Sequence, residues 1–254
     1  MSEPILKLEG VSKSFGSNHV LKSIDIDVAP GQSLVIIGGS GSGKSVMLKT
    51  ALGLLTPNSG RIVFDGKDVT KSSGRARNAM RQRVGMLFQS GALFDSLTVW
   101  ENVAFRLLNA EGVKRSKAKD LAINALQKVR LGADVASRYP AEISGGMQKR
   151  VSLARSIISK PDLIFFDEPT TGLDPITADA INDLILEQVR DIGAAAVSIT
   201  HDMASARKIA DEIAMLYEGE IIWRGRAEDV ENSGNPYVDQ FVHGRAEGPI
   251  QPAM

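Results

Sequence analysis

Between an unbroken apolar run, Leu34-Val35-Ile36-Ile37, and a stretch of helical pattern, Val46 to Leu55, lie the eight residues Gly38-Gly-Ser-Gly-Ser-Gly-Lys-Ser45. Four apolar residues closed by glycine read as a buried parallel strand, and a strand that feeds a helix through such a loop confines the chain to an α/β design. The spacing G-x-x-x-x-G-K-S also has a chemical reading. Peptide N–H groups can wrap a di- or triphosphate closely only where Cβ atoms are missing and positive φ is allowed, which Gly38, Gly39, Gly41 and Gly43 supply. Lys44 would bring a point charge to the β and γ oxygens, and the Ser45 hydroxyl would ligate a bridging Mg²⁺. The loop as a whole, Ser40 and Ser42 included, is therefore expected at the phosphates of ATP or GTP, facing the positive N-terminus of the following helix.

Composition narrows the partners. The 254 residues suit one large domain or two small ones, and a hydrophobic share of 43 % is ample for a core. Thirty Lys and Arg balance thirty Asp and Glu, so there is no global positive field to hold nucleic acid by counterion release, and none is expected as a partner. The absence of cysteine removes disulfides, thiolate metal sites and Cys nucleophiles. No basic stretch followed by an apolar one opens the chain, so no signal peptide is expected, and no run of 18 apolar residues occurs to span a membrane.

Alternating segments (Ile5 to Leu8, Ile24 to Val28, Gly60 to Gly66) predict a small antiparallel sheet around the phosphate loop. From about 96 to 159 the pattern turns helical, with Leu121, Ala125, Leu126 and Val129 on one face of a segment ending near Gly132, and reads as an inserted helical subdomain. Leu163 to Phe166 and Ala195 to Ile199 return as buried strands, separated by a helix with Thr177 as expected N-cap and Gly193 at its end. The domain is expected over 1–232, with a C-terminal extension over 233–254. The basic run Arg75 to Arg83 reads as a solvated helix face, and Phe88 and Phe94 as packing residues.

A second nucleotide signal closes the Phe166 strand. Asp167-Glu168 stands at the carboxyl end of an apolar parallel strand, where open α/β sheets hold ligands. Opposite a phosphate loop, Asp167 is expected to hold Mg²⁺ and Glu168 to act as general base toward the attacking water. Between the two signals, Ile143-Ser-Gly-Gly-Met-Gln-Lys-Arg150 precedes a helical run, where Ser144, Gly145 and Gly146 would cap a helix able to bind a phosphate.

Together these residues resemble the ATP-binding cassette family, whose signature reads Leu-Ser-Gly-Gly-Gln ahead of such a helix, and the resemblance covers nearly the whole chain. It implies a P-loop NTPase core with an antiparallel β subdomain and an α-helical insertion, and activity as an ATPase with Mg²⁺. It further implies that Phe15 stacks on adenine and that Gln89 brings an amide oxygen to the metal. The family's D-loop falls at Thr171 to Asp174, and His201 becomes the switch histidine that donates to the γ-phosphate. In that family the signature, here Ser144 to Gly146, faces the nucleotide of a second subunit, so a homodimer is the simplest complete site. Ile143 and Met147 depart from the family's Leu and Gln.

Within the family, Gln89 to Val103, the Gly-Gly-Met of the signature, Asp174 to Thr177 and the tail Gln240 to Pro249 resemble ATPase subunits of lipid transporters of the mammalian-cell-entry class. That resemblance implies phospholipid or a related lipid as cargo and a peripheral place on the cytoplasmic face of the inner membrane. Implied partners are membrane permeases, a periplasmic lipid-binding protein and a small cytosolic regulatory subunit, with the tail as a clasp on the second ATPase. Other import or export systems, such as amino-acid uptake or lipoprotein extraction, stay open at this point, as does a soluble nucleotide switch in DNA repair or translation.

Overall fold

The computed structural model describes residues 3–71 and 74–251. In chain order the elements are β1 (Leu6–Phe15), β2 (Asn18–Val28), β3 (Ser33–Ile37), α1 (Lys44–Ala51), β4 (Ser59–Phe64), β5 (Lys67–Asp68), α2 (Gly74–Gln82) and β6 (Val84–Leu87). Then follow α3 (Val99–Asn109), α4 (Arg115–Lys128), α5 (Gly145–Ile157), β7 (Leu163–Asp167), α6 (Pro175–Ile192) and β8 (Ala195–Ile199). The chain ends with α7 (Met203–Ile209), β9 (Glu212–Tyr217), β10 (Glu220–Arg226) and α8 (Pro236–Val242).

Two compact units result, one built from the chain up to Arg81 and again from Ala195 onward, the other from Gln82–Ala194. In the first, β2-β1-β4-β5 form the antiparallel sheet expected from the alternating segments. Leu21, Ile24, Ile26 and Val28 of β2 are buried and the residues between them exposed, as a sheet with one wet face requires. The strands β10-β9-β3-β8 lie side by side. β3 runs parallel to both neighbours, and every residue of β3 and β8 is buried. That burial on two faces is why both strands are unbroken apolar runs rather than alternating ones.

The phosphate loop enters α1, which stops at Ala51 instead of continuing to Leu55, because Gly53 takes a left-handed φ of 65°. At the other end of this unit α8 packs by its buried Val238, and the Tyr217 and Tyr237 rings meet at 4.9 Å. Buried Gln240 then fixes the chain beyond: its Nε2 donates to the carbonyls of Arg245 (3.1 Å) and Ile250 (3.0 Å), and its Oε1 accepts from the Ile250 N–H (2.7 Å).

In the second unit β6 and β7 pair in parallel, Met86 opposite Phe165 and Leu87 opposite Phe166. The expected helical stretch is present as α3, α4 and α5. On α4 the buried stripe is Ala118, Ala122, Ala125 and Leu126, with Val129 just beyond. Leu121, expected on that face, is 37 % exposed, because at 3.6 residues per turn it falls at the edge of the stripe rather than within it. The cap of α6 is also shifted: Asp174 accepts from the N–H groups of Ile176 (3.1 Å) and Thr177 (3.0 Å), with Pro175 at the first helical position. Thr177 instead donates its hydroxyl to Asp174 at 2.6 Å. A proline fits the first turn because that N–H lacks a partner anyway. Gly193 ends the helix in the left-handed region, as expected.

Candidate functional site

Within the first unit, strand register brings two of the expected groups to one edge. Ile36 pairs with Ile199, and the Thr200 N–H donates to the Ile36 carbonyl at 3.2 Å. The phosphate loop after β3 and His201 after β8 thus emerge side by side at the carboxyl ends of parallel strands, where α/β sheets bind ligands. Gly43, the residue before α1, lies against the start of β2; a Cβ there would stand 3.0 Å from the Val20 carbonyl oxygen. The same β1–β2 hairpin carries Phe15, which is 49 % exposed and has the Lys13 ammonium 5.2 Å from its ring centroid. Such an exposed ring suits the stacking expected of it.

The loop itself has the form of a phosphate cradle. Gly38 has φ 152°, and a Cβ there would fall 2.3 Å from the Leu216 carbonyl oxygen, so only glycine lets the chain pass. Lys44 is buried, and its Nζ donates to the carbonyls of Gly38 (2.7 Å) and Gly39 (2.8 Å). Folded back in this way, the ammonium lies over its own loop, where phosphate oxygens could replace the carbonyls. Ser42 Oγ is buried with no hydrogen-bond partner, a polar atom whose desolvation only a further ligand would offset. No side chain caps α1, and the positive end of a helix suits an anion. Ser40 and Ser45 are exposed on the same turn. These residues fit a polyphosphate.

The second unit carries the remaining groups. Since β6 and β7 run in register, Gln89 and the Asp167-Glu168 pair follow strand ends at one edge. Glu168 has a left-handed φ of 48°, unusual for a residue with a side chain, and Thr171 Oγ1 donates to its Oε2 at 2.5 Å. The Thr171 N–H also donates to the Glu168 carbonyl, at 3.3 Å. The carboxylate is therefore held in one orientation by its own turn. Among the described residues no three or more His, Asp or Glu surround a common point. Of the residues expected to hold Mg²⁺, Gln89 and Asp167 belong to this unit and Ser45 to the first; an amide oxygen, a carboxylate and a hydroxyl are the hard oxygen donors that this cation takes.

On the signature helix α5, Ser144 is the N-cap and its Oγ accepts from the Met147 N–H at 3.3 Å. A Cβ on Gly146 would stand 3.1 Å from Thr177 Cγ2, so this end lies beside the start of α6, where Asp174 is the cap. The Thr177 hydroxyl, and after it two backbone N–H groups, hold the Asp174 carboxyl below the usual carboxylate range. Asp174, expected near the nucleotide, thus spends its acceptors on its own helix.

Sequence reasoning passed over two residues here. Thr171 was read only as part of a motif, although a hydroxyl three residues after a carboxylate is the ordinary signal for such a turn. Lys149 had no signal at all. It is buried; its Nζ donates to the Gln89 carbonyl and, at 3.5 Å, to the Glu168 carbonyl. Burial pushes its ammonium below the ordinary lysine range, while Asp167 and Glu168 pull it back up.

Comparison with known proteins agrees with this arrangement. The family model for ABC transporters matches residues 21–171, more than half of the chain. A probable ribonucleotide transport ATP-binding protein, mkl of Mycobacterium leprae, is 39 % identical over 96 % of this chain and 70 % of its own length. The intermembrane phospholipid transport system ATP-binding protein MlaF of Escherichia coli is 35 % identical over 97 % of this chain and 91 % of its own. Among solved structures, a dimeric post-hydrolysis state of the ATP-binding cassette MJ0796 bound to ADP and Pi superimposes with a TM-score of 0.80, at 29 % identity, over 87 % of this chain and 98 % of that one. With the phosphate loop, the strand-end carboxylates and the signature helix all in place, the chain belongs to the ABC transporter family and is an ATP-binding ATPase that uses Mg²⁺.

Proposed function

We propose that this ATPase drives the movement of phospholipid or a related lipid between the inner and outer membranes. The observation that carries the cargo is the end-to-end match to MlaF, 97 % of this chain against 91 % of that one. The match to mkl leaves nearly a third of that protein uncovered. No helix among the described residues is long and apolar enough to cross a membrane, so transport requires a membrane-spanning partner. We place the chain on the cytoplasmic face of the inner membrane, as a peripheral homodimer under permease subunits, with a periplasmic lipid-binding protein of the mammalian-cell-entry class and a small cytosolic regulator. The ATPase domain is assigned to 1–232. The extension from 233 is assigned as a dimer clasp, its shape beyond α8 set by Gln240.

In the proposed reaction Phe15 receives the adenine, and the loop amides of Gly38 to Ser45 with Lys44 receive the phosphates. Ser45, Asp167 and Gln89 would hold Mg²⁺, which when bound would neutralise charge on the phosphates. Glu168 accepts the proton of the attacking water and aims it, a role its fixed carboxylate suits. His201 donates a ring N–H to the γ-phosphate. Ser144, Gly145 and Gly146 close the site on the nucleotide of the second copy, and Asp174 keeps the neighbouring helix end in place for that contact.

The test is Glu168→Gln, which keeps shape and removes basicity. We expect ATP turnover to fall about a hundredfold or more while nucleotide binding persists. Turnover near wild type would remove Glu168 from the role of base. Affinity purification from solubilised membranes should recover a polytopic protein with the chain; recovery with ribosomes or DNA instead would overturn the transport assignment.

A further inference from the structure

Lys149, Ser152 and Arg155 stand three residues apart on α5 and form one oblique row. Each donates to the backbone of the loop that follows β6. Lys149 Nζ meets the Gln89 carbonyl, Ser152 Oγ meets the Gly91 carbonyl at 3.0 Å, and the Arg155 guanidinium meets the carbonyls of Gly91 (2.6 Å) and Ala92 (2.7 Å). That loop is shaped for the purpose: Gly91 and Ala92 are consecutive left-handed residues, at φ 74° and 45°, and their carbonyls turn toward the helix. The loop is thus clipped to the signature helix along its length.

Only the first rung reaches further. Lys149 Nζ also donates to the Glu168 carbonyl at 3.5 Å, and Glu168 is the residue whose backbone sits in the left-handed region. Burying an ammonium is costly unless its donors are used, so mere space-filling does not account for a lysine here. Its three N–H groups let one side chain hold two carbonyls from different loops, which an apolar chain of the same length could not do.

We propose that Lys149 is a positioning residue for hydrolysis: by holding the Gln89 and Glu168 carbonyls together, it makes the loop after β6 and the carboxylate after β7 move as one piece. The inference rests on Glu168 being the base, as argued above. A displacement of the loop, imposed from outside, then changes the aim of the carboxylate.

The experiment compares Lys149→Met, Lys149→Arg and Glu168→Gln in the full chain, with Lys128→Met as a control on an exposed ion pair to Asp191. Lys149→Met should lower kcat by about tenfold or more while KM and the dissociation constant of a fluorescent ATP analogue stay within about threefold. Lys149→Arg, which keeps the donors, should recover kcat to within about threefold of wild type, and Lys128→Met should be indistinguishable from it. An unchanged kcat in Lys149→Met overturns the proposal. So does a loss that arginine does not rescue and that comes with weaker nucleotide binding and a lower melting temperature, since that is the behaviour of a packing residue. If Glu168→Gln turns over normally, it is the base assignment that has failed; if it is inactive while Lys149→Met is normal, this inference alone has. Should Lys149→Met not fold, amide exchange in Lys149→Gln, whose side chain is too short to hold both carbonyls, decides: altered protection in 88–92 together with 168–171 supports the coupling, and a change confined to one segment, or none, refutes it.

Discussion

Three alanine substitutions within the phosphate loop should produce three different outcomes, because the loop treats its glycines unequally. Gly39 lies outside the left-handed region and a Cβ there meets nothing within 4 Å, so Gly39→Ala should leave stability within about 0.5 kcal/mol, or raise it slightly by stiffening the unfolded chain. Gly41 has open space but φ 77°, so its alanine should cost about 1–2 kcal/mol, the usual left-handed penalty. At Gly38 both problems meet. The φ of 152° adds about 1–3 kcal/mol of strain, and the new methyl would lie 2.3 Å from the Leu216 carbonyl oxygen, where ordinary contact begins at 3.4 Å. Clearing it takes a shift of about 1 Å between β9 and the end of β3, in an interior too densely packed to absorb one freely. We expect about 3 kcal/mol or more in total for Gly38→Ala, and at least a tenfold loss of affinity for a fluorescent ATP analogue as the loop amides move.

The assay exploits the two tryptophans. Trp223 lies on β10 in the first unit and Trp100 on α3 in the second, so in a Trp100→Phe background the urea transition seen by fluorescence reports the unit that holds the loop. Comparing midpoints at constant slope avoids treating the two units as one cooperative transition. If Gly38→Ala and Gly39→Ala unfold at the same urea concentration, the loop does not have the backbone described, and the reasoning fails at its root.

Two further outcomes follow from other parts of the molecule. Glu101 accepts from the Thr98 N–H (2.9 Å) and hydroxyl (2.7 Å) and pairs with Arg115, and the Thr98 hydroxyl above all holds its carboxyl below the usual glutamate range. That stabilisation is complete above the ordinary glutamate pKa and is lost as pH falls through the lowered one; Glu101→Ala should cost about 1 kcal/mol at neutral pH, read by Trp100 in a Trp223→Phe background, and the cost should fade in acid. Saturating Mg-ATP, at about a hundred times its dissociation constant, should stabilise the chain by about 2.7 kcal/mol in thermal melts. Chelating the metal or replacing Lys44 by Ala should remove most of that gain, and a melt indifferent to both would exclude the phosphate site.

What the sequence disclosed was local. The loop after β3, the carboxylates after β7 and the serine ahead of α5 each announce themselves within a dozen residues, because strand, turn and helix signals there are contiguous. The cap of α6 was ambiguous for the same reason: Asp174 and Thr177 both suit an N-cap, and only the direction of their hydrogen bonds separates them. Leu121 shows the limit of periodicity, since a residue at the edge of an apolar stripe goes in or out according to what faces it. Lys149 was illegible because its acceptors lie 60 and 19 residues away. Nothing near a lysine in a helical run reveals that its ammonium will be buried between two distant loops.

The register of β6 against β7 governs where this chain can change length. Leu87 stands opposite Phe166, and Gln89 and Glu168 each come two residues later. One added residue in either strand would invert the faces of everything after it, sending one group away from the other. Residues inserted in the exposed turn between α3 and α4 would shift neither. The molecule keeps count from the ends of its strands and absorbs a change of length where the chain between them lies exposed.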